Sequence, residues 1–306
     1  SAASDVYKRQ YISFCETENP TCCFASLSVL KFLPFTISIS CPTRLLFGPL
    51  VHPGAVVFHI KRQIMQPVYI NHIASIHADT PSGEHSYLSA NEPDYKSIIT
   101  NATLRRRMSR IIKMGVACGL ECINTLPSRK VDAIITATGL GCLADTEKFL
   151  NTIIENEEQL LNPTPFIQST FNTIGAQIAL LCQIHAYNMT YVHRGLSFES
   201  ALLDSMMRIR EGDENVLAGA IDEITPNSYI IQQRLGLLRD IQAGEGAQFF
   251  LLGKEPTEST RAELIGISTF IRTHSTQEIA GRIHSFLQSH QLTTGQIAVS
   301  YTHLTL

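Results

Sequence analysis

The chain has 306 residues, 44% of them apolar and 17% charged, and a formal net charge of −3 at pH 7. A near-neutral chain without a lysine-rich tract or basic stripe gives nucleic acid no electrostatic footprint, and the length is enough for one substantial domain with a proper core. The later cysteines, Cys118, Cys122, Cys142 and Cys182, show no paired metal spacing, which fits a reduced, cytoplasmic protein.

Residues 5–10 are DVYKRQ and residues 299–304 are VSYTHL. Back-translated, the strings are reverse complements over most of their length, as adapter sequence at both ends of a DNA fragment would be. Residues 1–10 and 299–306 are therefore expected to be adapter-derived scar, outside any fold. Met65 is the first methionine, and half of the cysteines (Cys15, Cys22, Cys23 and Cys41) lie before it. The run FASLSVLKFLPFTISIS is apolar, but it holds Lys31 and Pro34, is short for a membrane span and is rich in strand formers. Residues 11–64 are expected to be upstream translation with little structure, leaving residues 65–298 as the domain.

From Met65 the signals alternate. VYINHIASI (68–76) is strand-like. Residues 105–126 carry apolar positions at helical spacing and stop at Pro127. VDAIITATGLG (131–141) is a buried strand running into a glycine turn, and Asp145 is expected to cap a helix that runs towards Asn156. TIGAQIALLCQI (173–184) is a helix apolar on all sides, suited to the middle of a layered structure or to a subunit contact. NMTYVH is the next strand and residues 197–211 the next helix. NVLAGAIDE (215–223), GEGAQFFLLG and ELIGISTFI follow as strands, and residues 276–289 form a last helix. Strands alternating with helices predict an α/β fold with a largely parallel sheet covered on both faces.

TYVHRGLSFESALL (190–203) is the segment that bears on chemistry. A β-branched strand, a glycine and a helix opened by serine make the usual mount of a catalytic nucleophile. Ser197 is the candidate and His193 the nearest base. GLSFE differs from the hydrolase pattern G-x-S-x-G at Glu199. An acid in the first helical turn favours the helix dipole by roughly 0.3–1 kcal/mol and opposes an anion bound there. The plainer reading makes Ser197 a helix cap and His193 with Arg194 a strand pair at a dimer contact. Asp222 and Glu223 are general acid or base groups, loop caps, or partners of arginine. Gly139, Gly141, Gly244 and Gly246 allow tight turns, with no dinucleotide fingerprint around them.

TPFIQSTFNTIGAQIAL, NMTYVHRGLSFESALLDSMMRIREGDENVLAGAIDE and AGEGAQFFLL, in this order and spacing, resemble the β-ketoacyl synthases. The HRG-SFE wording at the elbow is similar to divergent ketosynthase-like proteins of aryl polyene and flexirubin-type pathways. The resemblance implies a thiolase-like layered αβαβα fold, here the N-terminal half plus the start of the C-terminal half, truncated. It implies an interface strand at NMTYVH, the elbow position at Gly195, and an acyl tunnel walled by Phe171, Asn172, Leu196 and Phe198. The family's condensing enzymes carry cysteine at the elbow, whereas no cysteine follows Cys182 here. THST (273–276) resembles the family's histidine motif but comes too early and opens a helix, so Ser275 or Thr276 reads as a cap rather than His274 as catalytic.

The expectation is a ketosynthase-like subunit without the condensing cysteine, acting as a chain-length-factor-type partner in fatty acid, polyketide or aryl polyene assembly. Its partners would be an active ketosynthase, in a heterodimer or homodimer, and an acyl carrier protein. No cofactor, metal, nucleic acid or membrane span is implied. The rivals are a free-standing acyltransferase or thioesterase using Ser197, and a β-ketoacyl synthase whose nucleophile lies elsewhere.

Overall fold

The structure, a computed structural model, describes residues 23–32, 36–44, 67–77, 87–238, 243–272, 276–294 and 297–301. In chain order the strands are β1 (Cys23–Phe32), β2 (Thr36–Arg44), β3 (Val68–Ile76), β4 (Ala133–Ala137), β5 (Tyr187–Tyr191), β6 (Asn215–Asp222), β7 (Gly246–Gly253), β8 (Ala262–Arg272) and β9 (Ile297–Tyr301). The helices are α1 (Ala102–Arg107), α2 (Arg110–Asn124), α3 (Leu143–Glu155), α4 (Pro163–Gln168), α5 (Thr173–Cys182), α6 (Ser197–Glu211), α7 (Pro226–Arg234) and α8 (Thr276–Ser289).

Among the described residues the strands form one sheet in the order β5-β4-β6-β7-β3-β8-β1-β2-β9. The expected largely parallel sheet is in fact mixed. β4 pairs in parallel with β5 and β6, and β2 with β9, while the other neighbours are antiparallel. Only β4, β5 and β6 are joined by helical crossovers that bring the chain back in the same direction.

The alternation of side chains along the strands builds two cores. Ile134, Leu217, Ile221, Phe249 and Leu251 face α2 and α5, where they meet Ile111, Met114, Ile174 and Ile178. Ala133, Ile135, Val216, Ala218, Phe250 and Leu252 face the other way, against Ala201, Leu202, Met206 and Ile209 of α6. The described residues thus form an α-β-α sandwich, three of the five layers expected.

Two short helices open with Asn or Thr followed by proline. Asn162 accepts the Thr164 amide before α4, and Thr225 and Ser228 form a reciprocal capping box before α7. The helix expected over 105–126 is two, because Met108 is extended and Ser109 becomes the N-cap of α2. Asp145 is not the cap of α3: Cys142 occupies that position, and Asp145 lies buried in the first turn.

Within the segment expected to have little structure, β1 and β2 form a hairpin whose backbone pairs with β8, and β9 reaches into the expected C-terminal scar. His274 and residues 1–22 and 45–66 lie outside the described residues. Among the described residues no helix is long and apolar enough to cross a membrane.

Candidate functional site

β4 and β6 end side by side, and their C-terminal turns build the floor of the site. Asp222, the last residue of β6, accepts hydrogen bonds on one oxygen from the Thr138 hydroxyl (2.9 Å), the Gly139 amide (2.9 Å) and the Leu140 amide (3.3 Å). The Thr138 hydroxyl in turn accepts the Gly141 amide at 2.8 Å. The acid therefore acts as a loop cap, one of the readings that the sequence left open. Burial pushes the Asp222 carboxyl up to about 6, against three hydrogen bonds that favour its charged form.

The elbow sits above this floor. After β5 a single 3₁₀ turn, Arg194–Leu196, leads into α6. The left-handed residue of the turn is Arg194, with φ of 57°, next to the expected elbow position at Gly195. Nucleophile elbows are strained in this way because the turn must lift one side chain clear of the strand and the helix. That position here carries an exposed guanidinium.

Ser197 lies at the first helical position with 3% of its surface exposed. Its hydroxyl lies 2.8 Å from the Thr138 carbonyl and 2.7 Å from the Arg194 carbonyl, and accepts the His193 amide at 2.7 Å. It is not the helix cap, since Leu196 holds that place with no side-chain cap bond. It ties the elbow to the β4 turn. His193 is exposed, and its Nδ1 lies 3.1 Å from the Ser200 hydroxyl. Among the described residues no imidazole or carboxylate hydrogen-bonds Ser197, so the base that a serine nucleophile needs is not in place.

The expected tunnel residues are split between the two faces of the sheet. Phe171 is half-exposed and lines a small cavity with Ile111, Thr136, Thr138, Gly141 and Ile174. The cavity holds room for about one water molecule. The Phe171 ring sits against Gly141, where an added Cβ would come within 2.6 Å of it and φ is +74°. Phe198 stacks instead on Phe250 in the other core, with ring centroids 5.6 Å apart. Phe171 and Phe198 thus pack with different clusters, on the faces covered by α5 and α6. Leu196 is half-buried at the cap of α6, and Asn172 is exposed at the cap of α5.

Cys118, Cys122 and Cys142 are not placed to replace the serine. Cys118 and Cys122 are fully buried on α2, with their thiols on the carbonyls of Ala247 and Phe249. Burial pushes the Cys142 thiol up to about 12, far from the thiolate that nucleophilic attack requires. Among the described residues no cluster of His, Cys, Asp and Glu is arranged to hold a metal ion. Arg110 and Glu245 were missed in the sequence. Arg110 pairs with Glu245 through both terminal nitrogens and with Glu92 through Nε. The GEGAQ wording marked Glu245 only as part of a turn.

Residues 81–242, more than half of the chain, match the family profile described as β-ketoacyl synthase, N-terminal domain. The chain belongs to the β-ketoacyl synthase family. No curated protein matches this β-ketoacyl synthase chain. Its fold is similar to that of solved structures at low identity. One is the ketosynthase ApeO in complex with its chain length factor ApeC from Xenorhabdus doucetiae. That match has 17% identity over 62% of this chain and 80% of that chain, with a TM-score of 0.50. A second is the ishigamide ketosynthase/chain length factor, at 13% identity over 61% of this chain and 62% of that chain, TM-score 0.50. A third is AntDE:AntF, a type II polyketide synthase acyl carrier protein in complex with its ketosynthase bound to the hexaketide. That match has 16% identity, the same coverages and a TM-score of 0.52. The chain thus spans less than two thirds of the second and third structures.

Proposed function

We propose that the chain is a ketosynthase-like subunit that does not condense acyl groups itself. It pairs with an active ketosynthase and sets the length of the chain that the partner builds. The observation that carries this reading is the elbow. Its left-handed position holds Arg194, and the hydroxyl of Ser197 is buried among backbone groups. A covalent enzyme needs at that position a group that can become an anion beside a fixed base, whereas Arg194 is a cation and, among the described residues, no imidazole or carboxylate hydrogen-bonds Ser197.

The partner surface in this reading is β5. It is the edge of the sheet, and Asn188 and Met189 are exposed on it. Unpaired strand edges are covered or charged in stable proteins, and another strand edge fits there. Phe171, half-exposed over Gly141, is the residue through which the subunit would measure an acyl chain. An acyl carrier protein would bring that chain to the paired subunit, and the wording of the elbow points to an aryl polyene or flexirubin-type product made in the cytoplasm.

The test is reconstitution of the chain with a cysteine-bearing ketosynthase and acyl carrier protein. Phe171→Ala, which removes the ring from Gly141, is expected to lengthen the product. A mixture whose product length ignores both Phe171→Ala and the omission of the chain would overturn the reading.

A further inference from the structure

Three successive residues at the end of β6 have separate tasks. Asp222 holds the Thr138 hydroxyl and the Gly139 and Leu140 amides. Glu223, 4% exposed, accepts the Ala144 amide at 3.0 Å, at the start of α3. The Ile224 amide instead donates to Glu245 at 3.1 Å.

Glu245 anchors this end of β6. Its side chain is 1% exposed, and its two oxygens accept the Ala90 and Ile224 amides and both terminal nitrogens of Arg110. A bidentate, charge-assisted pair is geometrically specific, and removing one partner from a buried pair leaves an uncompensated charge. Arg110 is the first residue of α2, and its Nε goes to Glu92, which also accepts the Tyr95 hydroxyl at 2.9 Å. The pair therefore ties together the start of β7, the start of α2, the 90–95 segment and the end of β6. The same segments wall the small cavity. Ile111 follows Arg110 on α2, Ile221 precedes Asp222 on β6, and Thr138, Gly141 and Cys142 belong to the turn that Asp222 and Glu223 hold. The Phe171 ring lies against Gly141, so a shift of the turn moves the wall beneath the ring.

We propose that Glu245 and Arg110 are positioning residues: acting through the end of β6, they hold the 138–144 turn against the cavity under Phe171 and so fix where a linear acyl chain stops. That an acyl chain reaches this cavity rests on the subunit role proposed above; the coupling between Glu245 and the turn does not. Glu245→Ala removes both acceptors. The Ile224 amide then has no carboxylate to hold it, Arg110 keeps only Glu92, and the segment that carries Asp222 and Glu223 loses its anchor. Their hydrogen bonds to the turn loosen with it.

Amide hydrogen exchange on the full chain tests the coupling without substrate or partner, so its outcome is separate from that of the acyl reading. In Glu245→Ala the amides of Gly139, Leu140, Gly141 and Ala144 are expected to exchange faster by ~5-fold or more, the lower end for leaving a buried group unsatisfied. The Ala201, Met206 and Ile209 amides of α6, in the core on the other face of the sheet, should change less. A second comparison separates positioning from general loosening. In an Asp222→Ala background the Glu245 substitution should add nothing at Gly139 and Leu140, because the link to the turn is already cut. Glu245→Gln serves if the alanine variant does not fold, since in either orientation its NH2 group faces one nitrogen of Arg110 and one backbone amide. Unchanged exchange at the four turn amides in a folded variant would overturn the coupling. So would equal acceleration in α6, or an effect that adds in full to that of Asp222→Ala.

Discussion

The hydroxyl of Ser197 carries one proton, and two carbonyl oxygens, of Thr138 and Arg194, compete for it. Ser197→Ala should therefore lower stability by about 1–3 kcal/mol, the range for leaving buried polar groups unsatisfied. Chemical denaturation would read this. If Ser197 were instead a poised nucleophile, its removal would be nearly neutral for stability and large for activity. Arg194 gives a second check at this scale. Its left-handed backbone disfavours most side chains. Arg194→Val is expected to cost about 1–3 kcal/mol, and Arg194→Gly to be neutral or stabilising, by the same denaturation measurement. A valine variant as stable as the parent would show that the turn is not left-handed in solution. None of this was legible beforehand, because Ser197 and Thr138 are 59 residues apart. The serine at a helix start looked like a cap, which is what local pattern alone can support.

At the scale of elements, α5 packs directly onto a polar seam between β4 and β5. The Thr136 and Thr190 hydroxyls pair at 2.8 Å, and the Asn188 amide donates to the Gly175 carbonyl at 3.0 Å. A Cβ added at Gly175 would come 2.9 Å from Asn188 Oδ1 and 3.3 Å from Thr136 Oγ1. Gly175→Ala should thus cost about 1–3 kcal/mol by overpacking and lower the melting temperature. An unchanged melt would mean that α5 stands off the seam. β3, α6, β6 and α8 fall within about one residue of where hydrophobic period and stop signals put them, because each has an uninterrupted pattern and a clear end. The short helices α4 and α7 escaped notice although Asn162-Pro163 and Thr225-Pro226 announce them, since so few turns give no period to read. Strand direction was misread for a related reason. An apolar run does not reveal which neighbour it joins, so the sheet was expected to be largely parallel, whereas β7, β3 and β8 pair antiparallel.

On the scale of the whole molecule, the two ends of the sheet have different tasks. β5 ends it on the side of the elbow, and β1, β2 and β9 extend it beyond β8 on the other. Residues 65–298 alone keep the run from β5 to β8 continuous. A protein starting at Met65 is therefore expected to melt close to the full chain, and a fall of more than about 5 °C, on the order of 1 kcal/mol for a domain of modest size, would return β1 and β2 to the native fold. At the other end, Met189→Asp places a charge on the exposed edge of β5. Sedimentation velocity should show it breaking a subunit contact that the wild type makes, and a wild type that is monomeric with and without a ketosynthase would remove β5 as a partner surface. This β-ketoacyl synthase chain is proposed to carry an elbow without a working nucleophile. Intact-mass analysis after incubation with acyl carrier protein thioesters reads that claim most directly. No mass increase is expected. An acyl increment on the peptide containing Ser197, absent from Ser197→Ala, would contradict it.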